Sequence, residues 1–255
     1  MSLYAEERQQ QILMQTRAEG RVEVAALAET LGVTQETVRR DLDRLERQGL
    51  VRRVHGGAIP TGRLDFEPGL SHRDATASPE KARMARLAAG LLPREGTVLL
   101  DAGTSTARIA AALPEDSRLT VVTNALPIAT QLATRPHLTV HLVGGRVRGR
   151  TLASVDAWAL ETLGRLTVDV AVVGTNGIST RQGLTTPDVS EAGVKSAMVA
   201  AGRRVVVLAD SSKYGSDQLT RFAALSEVDV LVSDTGLDDE ACAAIVREGP
   251  EVMLA

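Results

Sequence analysis

The sequence predicts an α/β protein in which a small helical unit precedes a larger, doubly wound domain built on a mostly parallel sheet. Three observations predict this class. The first 58 residues show helical periodicity that ends in a short β-like pair. From residue 79 onward, short apolar runs alternate with helical stretches, as the strands and crossover helices of a parallel sheet do. Residues 59–78 contain many residues that break regular structure, so we expect domains at 1–58 and 79–255 joined by a linker at 59–78.

Three helices are predicted in the first unit. An early helix lies around residues 6–16, and a second follows with apolar residues at the spacing of one helix face, Val24, Leu27, Ala28 and Leu31. Gly32 interrupts that pattern. Thr34 can then cap a third helix by accepting a hydrogen bond from a backbone N–H of its first turn. The predicted arrangement is two helices joined by a turn of about four residues.

The third helix is predicted over residues 35–48 and has one apolar and one charged side. At about 100° per residue, Val38, Leu42 and Leu45 lie on one side. Charged residues, including Arg40 and Arg44, lie on the opposite side. The sequence LVRRVHGGAI that follows has β-like residues around a glycine turn, which predicts a two-stranded wing beside the helices.

A charged face is by itself typical of any solvated amphipathic helix. Here residues 39–53 carry six arginines against three acidic residues, although the whole chain has a formal net charge of -3. The third helix also has a turn partner, a capped N-terminus open to a phosphate, and a second basic cluster on the wing. Together these features favour a winged helix-turn-helix that binds DNA. An aromatic content of 2% offers few stacking platforms for single strands, so the expected partner is double-stranded DNA.

Seven strands are predicted in the second unit, beginning near residues 97, 120, 139, 168, 203, 228 and 251. Most are nearly continuous apolar runs, as strands covered on both faces must be. The runs end in glycine and hydrogen-bonding residues, as in DAGTST, GTNG and ADSSKYG. Because the carboxyl ends of parallel strands share one edge of a sheet, these loops predict a ligand pocket at that edge.

The loop DAGTST at 101–106 could hold a phosphate. Gly103 would let the backbone approach a ligand, and the next three residues offer hydroxyl and N–H groups at a positive helix end. A glycine followed by Ser or Thr also begins many helices that bind nothing. The chain lacks G-x-G-x-x-G and a Walker lysine, which disfavours dinucleotides and nucleoside triphosphates. Lys195 and Lys213 could supply countercharge; an isolated lysine is more often solvated, and Lys213, in a strand-end loop, is the better candidate.

Other classes of function find little support in the sequence. No apolar run approaches the ~20 residues that span a bilayer, and the N-terminus lacks the basic-then-apolar pattern of a secretion signal, so we expect a soluble, cytoplasmic protein. The single cysteine, Cys242, excludes an internal disulfide and fits a small core residue. Four histidines are present, and His137 and His141 lie in a strand-like stretch, so we expect no metal site, no histidine-assisted nucleophile and no cofactor.

The chain resembles the DeoR family of bacterial transcriptional regulators along essentially its whole length. Arg8 with Ile12, the segment LAETLGVTQETVRRDLDRLERQGLVRRVHGGA and several later loops carry the resemblance. It implies that the helix at 35–48 enters the major groove of DNA and that the wing lies beside it. The residues expected at the DNA are Thr34, Gln35, Thr37, Arg39, Arg40 and Arg44 on the helix and Arg52, Arg53 and His55 on the wing.

The same resemblance implies that the second domain is a sensor, similar in fold to ribose-5-phosphate isomerase and coenzyme A transferases, that binds phosphorylated sugars or related metabolites. The expected effector-binding residues are Asp101, Gly103, Thr104, Ser105, Thr106, Thr123, Asn124, Gly144, Gly145, Gly174, Asn176, Gly177, Glu191, Lys195 and Lys213. Glu191 also lies near a predicted helix start, where the helix dipole favours a carboxylate without any ligand.

A similar fold leaves open whether the second domain is a sensor or an enzyme. Isomerases of this fold carry an acidic loop because moving a proton between adjacent carbons needs positioned carboxylates. Here Val173 and Asn176 stand where carboxylates are expected, and neither can act as a base. We therefore expect a DNA-binding repressor of metabolic genes, a homodimer or homotetramer, whose operator affinity is controlled by a phosphorylated metabolite. The alternative is a sugar-phosphate isomerase-like enzyme with an appended DNA-binding module.

Overall fold

The computed structural model describes residues 5–47, 50–60, 67 and 70–255. The chain divides into two compact units between residues 68 and 69, a boundary inside the expected linker at 59–78. Two parts of that linker are regular: residues 59–60 end a strand of the first unit, and Leu70–Ala75 form a helix of the second. Its residues 61–66 and 68–69 lie outside the described ranges, as does residue 48 at the end of the predicted third helix.

The first unit has three helices and a small antiparallel sheet. Its elements are α1 (Ala5–Glu19), β1 (Val22–Glu23), α2 (Val24–Leu31), α3 (Gln35–Arg47), β2 (Val51–Val54) and β3 (Gly57–Pro60). Gly32 ends α2 at a φ of 64°, in the left-handed conformation that glycine adopts without strain, and so turns the chain toward α3. The core packs α1, α2 and α3 together through Ile12, Leu27 and Leu42. The predicted helix-turn-helix and wing are confirmed.

One strand of this unit was not predicted. β1 pairs antiparallel with β3, so the sheet has the order β1-β3-β2 and the wing is joined to the start of α2. A two-residue strand has no periodicity that a sequence pattern could reveal.

The second unit is a doubly wound α/β domain. Its helices are α4 (Leu70–Ala75), α5 (Ser78–Gly90), α6 (Thr104–Ala112), α7 (Leu126–Leu132), α8 (Ala157–Leu163), α9 (Val189–Ala201) and α10 (Asp239–Arg247). Its strands are β4 (Glu95–Leu100), β5 (Arg118–Thr123), β6 (Thr139–Leu142), β7 (Arg146–Arg148), β8 (Ala153–Val155), β9 (Val170–Gly174), β10 (Gly177–Ser179), β11 (Gly183–Thr186), β12 (Val205–Leu208), β13 (Thr220–Ala223), β14 (Val230–Ser233) and β15 (Glu251–Leu254).

Seven strands form one parallel sheet in the order β15-β14-β12-β9-β4-β5-β6. These are the seven predicted strands, and the predicted fold class is confirmed. From β4 the chain adds β5 and β6 on one side, then crosses to β9 and continues outward through β12. The strand order therefore reverses between β4 and β9, which makes the carboxyl ends of these two strands the topological switch point.

Two smaller sheets were not predicted. β7 and β8 form an antiparallel hairpin, and β10, β11 and β13 form a three-stranded antiparallel sheet. Strands of three or four residues are too short for a sequence pattern to show alternation. No helix in the described ranges is long and apolar enough to cross a membrane.

Candidate nucleic-acid interface and effector site

The outer face of α3 is basic and exposed. The side chain of Arg40 is 79% exposed, and its Nε lies 3.4 Å from Glu36 one turn away. Arg39 and Arg44 are exposed on the same helix, and Gln35 accepts a hydrogen bond from Arg39 at 3.3 Å. Such exposed i, i+4 pairs are weak, so the guanidinium groups can exchange Glu36 for a phosphate or a base at little cost.

Thr34 caps α3 as predicted. The backbone N–H of Thr37 donates to Thr34 Oγ1 at 3.2 Å, and the two threonine hydroxyls lie 2.9 Å apart. The cap leaves Thr34, Gln35 and Thr37 together at the N-terminal end of α3, where the helix dipole and free N–H groups favour an anion.

The wing residues divide into two kinds. Arg52 and His55 are exposed. Arg53 instead connects the wing to α3: its guanidinium pairs with Asp43 and donates to the carbonyl of Arg39 at 3.3 Å, and its backbone N–H donates to Glu46 Oε1 at 2.6 Å. Because its side chain contacts α3, Arg53 orients the wing in addition to the DNA contact expected of it.

A buried ion pair that the sequence did not reveal holds α3 against α1. Asp41 lies on the inner side of α3, where Arg8 Nε approaches its Oδ2 at 2.5 Å and Gln9 Nε2 donates to its Oδ1 at 2.8 Å. The pair also removes one acidic side chain from the exposed surface of α3. The outer face is therefore more basic than the charge count of the segment indicates.

The switch point of the second unit is closed by a buried charged pair. Lys195 of α9 donates to Asp101 Oδ2 at the end of β4 and to the carbonyl of Gly174 at 2.9 Å. The N–H of Gly174 donates to the same Asp101 oxygen at 3.0 Å. Asp101 is 1% exposed, and burial raises the pKa of its carboxyl group, opposed by the Lys195 ammonium and the Gly174 N–H.

A second charged group lies at the start of α9. Asp188 caps that helix by accepting from the N–H of Glu191 at 2.9 Å. Arg148, on β7, places Nε 2.9 Å from Asp188 and a terminal nitrogen 3.0 Å from Glu191 Oε1. Thr151 donates its hydroxyl to the same Glu191 oxygen at 2.5 Å. The hairpin β7–β8 is thereby fixed to the N-terminus of α9.

Several predicted effector residues hold loops together. Thr123 donates its hydroxyl to the carbonyl of Leu100 at 2.6 Å. The side chain of Asn124 accepts from the N–H of Ala102 at 3.0 Å and donates to the carbonyl of Ser154 at 3.2 Å. Both residues are buried, so they shape the edge of the sheet through these bonds.

The remaining predicted positions differ in their access. Thr104 and Thr106 are buried at the start of α6, whereas Ser105 is half-buried. The hydroxyl of Thr106 donates to the carbonyl of Gly103 at 3.0 Å.

The predicted residues after β9 and before β7 lie between strands or at their ends. Asn176 accepts a hydrogen bond from the Thr186 hydroxyl at 3.2 Å. A Cβ at Gly177 would lie 2.2 Å from the carbonyl oxygen of Ser216, so this glycine permits close backbone packing. Gly144 is exposed and Gly145 half-buried, both just before β7.

A group of cations lies around Asp210, at the end of β12. Lys213 approaches Asp210 at 4.0 Å. Lys81 of α5 is 4% exposed, and its burial lowers its pKa to about 8. The nearby cations Lys213, Arg73 and Arg108 lower this pKa further, whereas the carboxylate of Asp210 raises it. Burial also raises the pKa of Asp210, but Lys213, the Ser212 hydroxyl and Lys81 outweigh it, so the pKa lies below its ordinary value. Lys213 and Lys81 act on Asp210, and Arg73 and Arg108 act on Lys81, so the four cations form one cluster with Asp210 and Asp74 that can accept an anion.

Lys81 was missed, although the sequence holds a signal for it. It lies on the face of α5 that also buries Met84, Ala85 and Ala88, and a lysine on an apolar stripe is unusual unless it has partners. A serine before Pro79 is typical of a helix cap, but Ala77 is the cap residue of α5. Ser78 lies inside the helix and accepts a hydrogen bond from Arg108 at 2.8 Å.

Three helix N-termini meet at the carboxyl edge of the sheet. α5, α6 and α9 each run from this edge back to the start of the next strand, so their first turns all face the ends of β4, β9 and β12. Free N–H groups at these turns add positive potential to the edge. In the described ranges no group of three or more His, Cys, Asp or Glu residues could hold a metal ion. The arrangement suits a small anionic ligand.

Comparison with known proteins agrees with both units. A family model described as the DeoR C terminal sensor domain matches residues 76–235, and one described as a DeoR-like helix-turn-helix domain matches residues 8–61. The HTH-type transcriptional regulator GlpR of Haloferax volcanii is 34% identical over 251 residues, 98% of each chain. The glycerol-3-phosphate regulon repressor of Escherichia coli is 31% identical over 224 residues, 88% of each chain. Ribose 5-phosphate isomerase A of Methanocaldococcus jannaschii aligns over 55% of each chain at 16% identity, with a TM-score of 0.40.

Proposed function

The chain belongs to the DeoR family of DNA-binding transcriptional regulators, and we propose that it represses metabolic genes and that a phosphorylated sugar or related metabolite, bound in its second unit, controls its operator affinity. The cluster of Lys81, Lys213, Arg73 and Arg108, of which Arg108 lies on α6, is the observation that carries the effector part of this proposal. The name of the Escherichia coli relative, a glycerol-3-phosphate regulon repressor, is consistent with a phosphate-bearing effector.

For DNA, we assign the groove-facing role to the first turn and outer face of α3. Gln35, Arg39 and Arg40 are exposed there and form only weak pairs with neighbours on their own helix. The N-terminal turn of α3 and the exposed wing residues Arg52 and His55 would contact the backbone phosphates. A single small unit makes few phosphate contacts, so we infer that the protein acts as a homodimer or homotetramer, on DNA in the cytoplasm.

For the effector, we assign the phosphate to the first turn of α6. Ser105 is half-buried in that turn, and the side chain of Lys213 is one-third exposed. Lys81 and Arg108 approach the same place from α5 and α6. The rest of the ligand would extend along the switch point toward Asp101 and the start of α9.

The phosphate end is also connected to the segment that leads to the first unit. Lys81 donates to the carbonyl of Arg73 at 2.5 Å and to that of Thr76 at 2.8 Å. Arg108 donates to the Asp74 carboxylate at 2.5 Å and to its carbonyl at 3.0 Å. These acceptors belong to α4 and the turn after it, which follow the unit boundary along the chain. A phosphate that draws Lys81 and Arg108 toward itself would therefore weaken their contacts with α4. An effector can alter operator affinity only if it binds the arrangement with these contacts and the arrangement without them unequally.

Catalysis is not part of this proposal. Val173 is a buried core residue, and Thr175, between Gly174 and Asn176, donates its hydroxyl to the carbonyl oxygens of Gly177 and Thr185 at 2.9 and 3.1 Å. The loop that would carry the acidic pair of an isomerase therefore holds its own turn together. Near the start of α9, Glu191 is held by Arg148 and Thr151, and Asp188 caps the helix and pairs with Arg148.

Two measurements on the full chain test the proposal. Double-stranded DNA selected from a random pool by the purified protein should yield a site whose affinity, measured by fluorescence anisotropy, changes with at least one member of a panel of triose, pentose and hexose phosphates. The same panel should show thermal stabilisation without turnover. If the protein converts ribose 5-phosphate and the Glu191→Gln variant does not, the alternative of an isomerase-like enzyme is favoured. If no DNA is selected, the proposal of a DNA-binding regulator is wrong.

A further inference from the structure

The wing of the first unit ends in a two-residue turn whose carbonyl groups are both held by the segment between α1 and α2. His55 and Gly56 form this turn and join β2 to β3. Arg21, one residue before β1, donates from a terminal nitrogen to the carbonyl of His55 at 3.1 Å. The backbone N–H of Val24, the first residue of α2, donates to the carbonyl of Gly56 at 2.8 Å.

Strand pairing continues this attachment away from the turn. β1 pairs with β3 through Val22 opposite Ala58 and Glu23 opposite Gly57. These contacts are all made by the backbone, whereas the bond from Arg21 to the turn is made by a side chain. The hold on the carbonyl of the first turn residue can therefore be removed by one substitution without removing any backbone hydrogen bond.

The wing is held at a second place by α3. Arg53 of β2 pairs with Asp43 of α3. With one strand fixed to α3 and the turn fixed by Arg21, the wing has two attachments to the rest of the unit. The exposed residues Arg52 and His55 therefore have set positions relative to the exposed face of α3.

Arg21 itself is poorly placed to contact a ligand. The residue is half-buried, and its Nε is buried without a hydrogen-bond partner among the described residues. An unpaired buried donor costs free energy, which offsets part of what the bond to His55 contributes. The net effect of Arg21 on stability should therefore be small, while its effect on the position of the turn remains.

We propose, on the basis of the proposed function, that Arg21 is a positioning residue for DNA binding, which holds the wing turn so that the side chain of His55 meets a backbone phosphate. An imidazole N–H in a set position donates to a phosphate oxygen. Because the turn is already ordered, binding does not have to order it. Without Arg21 the turn keeps the bond from Val24, but the carbonyl of His55 is released.

A double-variant cycle tests this role in the full chain. Fluorescence anisotropy with the selected DNA measures the affinity of Arg21→Met, of His55→Ala and of the double variant. We expect each single variant to lose at least about threefold in affinity, and Arg21→Met to cost much less in the His55→Ala background. His55→Ala keeps the carbonyl to which Arg21 donates, so the shift in melting temperature caused by Arg21→Met should be the same in both backgrounds.

A matched control separates positioning from the loss of a positive charge. Arg47→Met removes the same charge from an exposed arginine that donates to the carbonyl of Asp43 on its own helix at 3.3 Å. Any affinity it loses should be equal with and without His55→Ala. Amide hydrogen exchange across residues 52–60 should be faster in Arg21→Met and unchanged in Arg47→Met. If Arg21→Met does not fold, Arg21→Gln, which is shorter and uncharged, enters the same cycle with the same expectation.

The outcomes distinguish this role from the function on which it rests. Equal losses from Arg21→Met in the two backgrounds would mean that Arg21 acts through its charge or through overall stability, and would overturn the inference. Full affinity in either single variant would overturn it too, and the regulator proposal would stand because Arg40→Ala tests α3 separately. If no DNA is selected by the parent chain, the regulator proposal itself fails.

Discussion

The ammonium of Lys195 and the carboxylate of Asp101 form a buried ion pair between residues 94 positions apart in the sequence. The pair joins α9 to the end of β4, and Gly174 at the end of β9 contacts both partners. Three elements that meet at the switch point are thus held by one lysine and one aspartate.

Removing one partner of this pair should destabilise the second unit strongly. Lys195→Met leaves Asp101 buried without its countercharge, and we expect a loss of about 3–5 kcal/mol in the free energy of unfolding. Urea denaturation followed by circular dichroism measures it. The double variant Asp101→Asn with Lys195→Met should lose less than the sum of the two single variants. An unchanged unfolding midpoint in Lys195→Met would show that the pair does not stabilise the fold.

The buried pair in the first unit should behave in the same way. Asp41→Ala leaves Arg8 and Gln9 facing an apolar surface, and we expect the first unit to lose about 3–5 kcal/mol of stability. Glu36→Ala, at an exposed position on the same helix whose pairs with Arg39 and Arg40 are weak, is the control and should cost less than about 1 kcal/mol. Limited proteolysis would report the change as earlier cleavage within residues 1–68. Equal resistance of the two variants would contradict the structural role of Asp41.

Arg40 should contribute to DNA affinity and contribute little to the stability of the fold. Its side chain is largely exposed, so Arg40→Ala should keep the melting temperature within about 1 °C while weakening binding to the selected DNA at least tenfold. If Arg40 contacts a phosphate, the slope of log affinity against log salt should also fall by about 1. Arg94→Ala, an equally exposed arginine of the second unit, should change neither quantity. A lower melting temperature with full DNA affinity would make Arg40 structural.

Phosphate binding should be coupled to the protonation of Lys81. Its pKa of about 8 lies below its ordinary value, so the ammonium is present at pH 7 and is lost as the pH rises through 8. A bound phosphate favours the charged form and raises this pKa, so binding near pH 8 should take up protons and weaken at higher pH. Asp210, whose pKa is lowered, stays ionised throughout this range.

Titration of glycerol 3-phosphate at pH 8, in buffers with different ionisation enthalpies, measures that proton uptake. Lys81→Met should abolish it, and Lys213→Met, which removes a more exposed cation, should retain it. Binding without proton uptake by the unmodified chain would place the phosphate away from Lys81.

Arg108 should couple effector binding to DNA release. Its contacts with Asp74 and Ser78 connect α6 to α4 and to the start of α5. Arg108→Gln breaks the contact between α6 and α4. We therefore expect it to reduce the change in DNA affinity that the effector causes by a larger factor than it reduces the affinity for the effector. Anisotropy titrations with and without effector measure both quantities. Full retention of the effector response in this variant would exclude α4 as the route.

The elements that the sequence predicted depend on local patterns. α3, the wing and the seven parallel strands each contain a periodicity or an apolar run long enough to identify them, and Gly32 and Thr34 mark the turn before α3. Exposure of Arg40 and Arg44 also follows from helical geometry alone, because Val38, Leu42 and Leu45 define the buried side.

Tertiary structure alone decided what the buried polar residues contact. Helical spacing places Asp41 on the side of Val38, Leu42 and Leu45 and places Asp43 on the opposite side, but it does not show that Arg8 and Gln9 of α1 are the partners of Asp41. Nothing local assigns Asn124 to the loop it holds. Lys81 reaches the site from α5, far in sequence from the loop that holds Asp210. Arg108 and Arg148 each lie just after a strand-end loop, but their partners Asp74 and Glu191 are distant along the chain.

The sequence by itself determined the helix-turn-helix, the wing and the seven parallel strands, because periodicity is local. The pairing of charges at the carboxyl edge of the sheet, where we propose that the effector binds, depends on which chain segments the fold brings together, and that is a property of the folded chain alone.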